Sequence, residues 1–159
     1  MTFTNLTKTK KMKYLLALLS IVLCLNGFAQ QKELTWHTDV NKAINLSVKK
    51  EKPLLFFFTG SDWCGWCIRL QKAVFSKPEF KSWATENVIL VELDFPKRTP
   101  ISNELMQQNR ELANMFSVRG YPTIWFVIPE PKDGQVNFKK LGSQGASPLD
   151  AKGWISGAK

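Results

Sequence analysis

The sequence is poor in the residues that build metal centres and disulfide scaffolds. Its 159 residues include one histidine, His37, and three cysteines. With Cys24 set aside in an apolar N-terminal run, Cys64, Cys67 and His37 fall short of the about four ligands a zinc or iron–sulfur site takes, so no metal is expected, and no organic cofactor is implied. No apolar run reaches the roughly 20 residues of a membrane-spanning helix. Arg-rich helices and basic stretches interleaved with aromatics are also missing: Lys49-Lys50 and Lys139-Lys140 are isolated pairs on a solvated surface, and no nucleic-acid partner is expected. Neither internal repeats nor a linker divides the chain, and its length suits one domain with a proper core.

What is present begins with a targeting segment. Lys8, Lys10, Lys11 and Lys13 precede the apolar run Tyr14 to Leu25, and Gly27-Phe28-Ala29 places small residues at the −3 and −1 positions of a cleavage site. Residues 1–29 are therefore expected to be a secretory signal peptide, and Met12 opens a compact version of the same signal. The product would be periplasmic or secreted. A lipoprotein acylated at Cys24 is disfavoured, because Leu23 stands where that processing wants a small side chain. Cleavage removes four lysines and no acids, so residues 30–159 keep 18 basic and 13 acidic side chains, a net charge of about +5.

Cleavage also leaves only two cysteines, both in Trp63-Cys64-Gly65-Trp66-Cys67. A bridge closing a two-residue gap removes little chain entropy and is a poor staple, which favours a redox pair over a structural one. The run Pro53 to Thr59 predicts a buried strand, Gly60-Ser61-Asp62 a turn, and the spacing of Leu70 and Val74 a helix from Cys67 to about Phe75. Cys64 thus sits where a helix begins, and unpaired amides there stabilise a thiolate. Cys64 is the predicted nucleophile. Cys67, one turn in and more buried, is the predicted resolving thiol.

Around the motif the pattern predicts alternating helices and strands. Thr38 or Asp39 caps a first helix with Val40, Ala43, Ile44 and Val48 on one face. Ser76-Lys77-Pro78-Glu79 has the form of a capping box flanked by Phe75 and Phe80, opening a short helix to about Glu86. Val88 to Phe95 is a second core strand, and a helix capped by Ser102 or Asn103 turns Leu105, Leu112, Ala113 and Phe116 inward. Thr123 to Ile128 is a strand, Pro129 to Gly134 a turn, Gln135 to Leu141 an edge strand, and Leu149, Trp154 and Ile155 anchor a last short helix. This order predicts an α/β three-layer sandwich, a central mixed sheet flanked by helices, with parallel strands followed by an antiparallel pair.

From about Asp39 to Gly142 the chain resembles the thioredoxin superfamily, on Trp63-Cys64-Gly65-Trp66-Cys67 after one apolar strand and Val118-Arg119-Gly120-Tyr121-Pro122-Thr123 before another. The resemblance implies a thioredoxin-like fold, a redox-active Cys64–Cys67 disulfide and a cis-proline at Pro122 packed against it. It also implies that Tyr121 lends its backbone to a bound polypeptide. Trp63, Gly65, Trp66, Tyr121 and Pro122 are the expected substrate-binding residues, Trp63 beside the thiol and Trp66 facing out. Two departures stand out. The strand before the motif offers only Leu54, Leu55 and three phenylalanines where family reductases often carry a buried acid, and Glu92 is read as a partly exposed strand residue. Trp66 occupies the middle of the motif, so the direction of electron flow is not legible there.

The expected activity is thiol–disulfide exchange with exported proteins that carry disulfides or thiols, as reductant rather than oxidant. A monomer is expected, and a membrane or soluble redox partner must reset the pair. The rival readings are a polypeptide-binding module with incidental cysteines and a copper(I) carrier using the two thiolates. Asp62 is read as a solvated turn residue whose charge opposes the thiolate, His37 as surface or cap, and Trp36, Trp83, Trp125 and Trp154 as packing.

Overall fold

In the computed structural model, which describes residues 33–158, the strands are β1 (Trp36–His37), β2 (Leu54–Thr59), β3 (Ile89–Asp94), β4 (Thr123–Lys132) and β5 (Gln135–Gln144). The helices are α1 (Val40–Lys50), α2 (Gly65–Leu70), α3 (Pro78–Asn87), α4 (Asn103–Met115) and α5 (Ala151–Gly157), with a π-helical turn at Gln71–Phe75 extending α2. The expected signal peptide 1–29, its cleavage site and Cys24 lie outside the described residues.

The sheet order is β1-β3-β2-β4-β5. β3 runs parallel to both β1 and β2, while β4 is antiparallel to β2 and β5 to β4, the predicted mixed arrangement. β2 is central and buried on both faces, which explains why it reads as a continuous apolar run rather than an alternating one. Leu55 and Phe57 face a layer made by α2, its π turn, α3 and α5, through Cys67, Leu70, Val74, Phe75, Phe80 and Trp154. Leu54, Phe56 and Phe58 face α1 and α4, through Val40, Ala43, Ile44, Leu112 and Phe116. Full burial of each phenylalanine contributes roughly 1.5–3 kcal/mol before entropy is counted.

Several local expectations are corrected. Trp36 and His37 form β1 against Leu90 and Val91, so His37 is a strand residue and not a cap. On α1 the buried positions are Val40, Ala43, Ile44 and Ser47, while Val48 is exposed. At 100° per residue position 47 falls at the centre of the inward arc and 48 at its edge, and the Ser47 hydroxyl is satisfied by donating to the Lys52 carbonyl. The capping box does not form. Lys77 occupies the cap position without a side-chain bond, because Ser76 closes the preceding π turn, its amide donating to Gln71 O and its hydroxyl to Lys72 O. The Phe75–Phe80 contact survives, with ring centroids 4.6 Å apart.

β4 also runs further than predicted, through Pro129 and Pro131 to Lys132. Beyond Val127 it no longer pairs with β2, so both prolines stand on a stretch with one open edge, where a missing donor is tolerated. The turn narrows to Asp133-Gly134, both at positive φ (51° and 78°), the conformation a two-residue hairpin requires. On α5, Trp154 is fully buried and Leu149, before the helix, is exposed rather than anchoring it.

Candidate active site

The turn between β2 and α2 is shaped by Gly60. Its carbonyl accepts the amides of Cys64 (2.8 Å) and Trp63 (3.2 Å), and a Cβ there would run into the Trp63 indole, which lies over it. Cys64 is the N-cap of α2 and is joined by a disulfide to Cys67, with Cα atoms 5.2 Å apart. The Cys67 amide points at Cys64 Sγ at 3.2 Å, a donor aimed where a thiolate's charge would develop. Cys64 retains 6% exposure and Cys67 none. Gly65 and Trp66 are exposed beside them, and the Arg69 guanidinium lies 5.0 Å from the Trp66 ring centroid.

Trp63 is held on three sides. Its Nε1 donates to Phe95 O (2.8 Å), the Tyr121 ring meets it edge-on at 5.8 Å, and Lys97 Nζ stands 4.0 Å from its centroid. The Tyr121–Pro122 peptide is cis, as the resemblance implies. Tyr121 is half-buried, and its phenol is pushed up by burial and then by the nearby Asp94 charge, so it stays protonated at neutral pH.

Two carboxylates, Asp94 on β3 and Asp62 in the turn, tie the turn to β3 and to the loop after it. Asp94 accepts the Ser61 amide (2.8 Å) and hydroxyl (2.5 Å). Asp62 accepts the amides of Lys97 (3.0 Å), Arg98 (2.6 Å) and Thr99 (3.0 Å). Asp62 is therefore a latch between two loops and not merely a solvated turn residue. The Lys97 amide, then those of Arg98 and Thr99, holds its carboxyl below the ordinary range against an opposing desolvation. The buried side chain of Asn109 adds a further tie, donating from Nδ2 to Asp94 O at 2.9 Å and so fastening α4 to the end of β3.

Sequence reasoning missed Lys97, Phe95, Asp94 and Asn109, because their partners lie 15 to 35 residues away and no local pattern marks such pairs. Glu92 is half-buried on the sheet face that carries Phe57 and Leu90, the face covered by α2. It lines a cavity of about 330 Å³ together with Trp36, Phe57, Gln71 and Phe75. Burial, and secondarily Asp94, pushes its carboxyl up. Among the described residues no group of three or more His, Cys, Asp or Glu side chains is placed to hold a metal ion.

A sequence profile described as the thioredoxin-like domain matches residues 40–148. The chain belongs to the thioredoxin-like family. It is 35% identical over 118 residues to the disulfide bond reductase DsbH of Chlamydia pneumoniae, a match covering 74% of this chain and 67% of that protein. It is 32% identical over 100 residues to the thioredoxin-related protein DsbJ of the same organism, covering 63% of this chain but only 29% of the relative. The solved structure of a DsbH oxidoreductase superposes with a TM-score of 0.71 at 32% identity, over 80% of this chain and 83% of the other. A Thermus thermophilus thioredoxin, at 22% identity and a TM-score of 0.56 over 79% and 85% of the two chains, shares the fold. This thioredoxin-like protein is a thiol–disulfide oxidoreductase with its Cys-x-x-Cys pair at the start of α2.

Proposed function

We propose that the protein is an exported reductant of polypeptide disulfides, with Cys64 as nucleophile and Cys67 as resolving thiol. The observation that carries this reading is the Cys64–Cys67 bridge at the start of α2, with the Cys67 amide aimed at Cys64 Sγ and Cys64 the less deeply buried of the two. In the reduced protein the Cys64 thiolate attacks one sulfur of a partner disulfide, and the partner's other sulfur leaves as a thiolate and takes a proton from water. Cys67 then gives up its proton and attacks Cys64 Sγ. This forms the Cys64–Cys67 disulfide and releases the second partner thiol, so that two electrons pass to the partner. A second dithiol protein or membrane electron carrier resets the pair.

The reductant direction is supported by the likeness to a protein named a disulfide bond reductase. Export, to the periplasm or beyond, is supported by the lysine-led apolar segment ending near Ala29. Trp63, Gly65 and Trp66 form the outer surface at the bridge, and Tyr121 and Pro122 the wall that receives the polypeptide backbone. The reading is tested by the reduction potential of the pair in defined thiol buffers, followed by tryptophan fluorescence. A value near or below about −230 mV fits a reductant, and one above about −180 mV would overturn that direction. Cys67→Ser should accumulate mixed disulfides with natural partners, and recovery of none from correctly folded, exported protein would count against the mechanism.

A further inference from the structure

Four exposed cations surround the two motif tryptophans. Lys97 lies over Trp63 at 4.0 Å and Arg69 over Trp66 at 5.0 Å, with Arg98 next to Lys97 and Arg119 two residues before Tyr121, all four exposed. The two carboxylates that brace the turn are already engaged: Asp62, at the surface, by three backbone amides and the charge of Arg98, and Asp94 by Ser61. No carboxylate pairs with either cation, since among the described residues the only ion pair is Lys42–Asp39. The Asp62 latch ties the backbone of Lys97 to the motif turn, which places the start of this side chain beside Trp63.

We propose that this surface selects polypeptide disulfides flanked by acidic side chains. The inference rests on the reading of the protein as a polypeptide disulfide reductant and adds its substrate class. Trp63 and Trp66 supply apolar contact at the bridge, while Lys97 and Arg69 meet carboxylates on either side of the partner's cystine. Such charges act chiefly on encounter and on choice of partner, and they are screened by salt.

The test uses the purified reduced protein and three disulfide-linked peptides that differ only in carrying aspartate, serine or lysine beside the cystine. At low ionic strength the acidic peptide should be reduced about tenfold faster than the basic one, the ratio falling to about twofold in roughly 0.5 M salt. In the Lys97→Glu/Arg69→Glu variant the ratio should vanish or invert, and in the milder Lys97→Gln/Arg69→Gln variant it should fall at least halfway. The ratio cancels any change in the reactivity of the thiolate itself. Lys49→Glu/Lys50→Glu serves as control, because α1 ends where β2 begins and the motif lies at the other end of that strand. Equal rates for the acidic and basic peptides, or a control that shifts the ratio as much as the site variants, would overturn the selectivity alone. Failure to reduce any of the three peptides would overturn the reductant reading and the selectivity with it.

Discussion

The Asp62 carboxylate takes the amide of Arg98 at 2.6 Å, and the same carboxylate receives Lys97 and Thr99. One side chain, two residues before Cys64, therefore organises the loop that brings Lys97 over Trp63. Because these amides lower the Asp62 pKa, the latch is fully present above the ordinary aspartate value of about 3.9 and is lost as pH falls through the lower folded value. Hydrogen exchange at Lys97, Arg98 and Thr99 should be protected at neutral pH and rise about tenfold or more in Asp62→Ala. Unchanged exchange at all three amides would show that the loop is held by other contacts.

Glu92 has the opposite sign. Burial, and then the Asp94 charge, raises its pKa, so between the ordinary and the raised value its native carboxyl holds a proton that the unfolded chain releases. Stability should therefore decline as pH rises from the ordinary glutamate value of about 4.3 through the raised one. Urea unfolding of Glu92→Gln should show a gain over wild type at pH 7 that shrinks towards pH 4. A gain that does not depend on pH would mean that the substitution acts through packing and not through charge.

Trp154 is fully buried among Phe75, Phe80 and Phe126, and its Nε1 donates to Gly145 O at 3.0 Å. Trp154→Ala should cost about 3–5 kcal/mol in urea unfolding. Trp154→Phe, which keeps most of the ring volume but drops the hydrogen bond, should cost about 1–2 kcal/mol. A loss below about 1 kcal/mol for the alanine variant would mean that α5 contributes little to the core.

Much of the fold and of the candidate site was legible in the sequence where the signal is local. The uninterrupted run Leu54–Thr59 marks a strand buried on both faces, and Cys64 and Cys67 at the start of a helical pattern mark a redox pair. The Asp133-Gly134 hairpin is also marked locally, since that dipeptide is the ordinary two-residue turn, although Pro129 and Pro131 beside it disfavour a strand there. Val48 and Ser47 show the limit of one-dimensional periodicity: hydrophobicity favoured Val48, but the helical arc buried Ser47, whose hydroxyl found the Lys52 carbonyl.

By itself the sequence determined the chemistry: two thiols at the spacing that closes a disulfide, a proline before a strand far along the chain, and the alternation of helices and strands. Only the tertiary structure decided what surrounds that chemistry. Asp62 became a latch rather than a free charge, Lys97 came to rest on Trp63, and Asn109 tied α4 to the strand whose last residue, Asp94, holds Ser61. The reason is physical. Periodicity and turn preference are set by neighbours a few residues apart, whereas these bonds join groups brought together only when β2 and β3 pair and their loops meet at one end of the sheet.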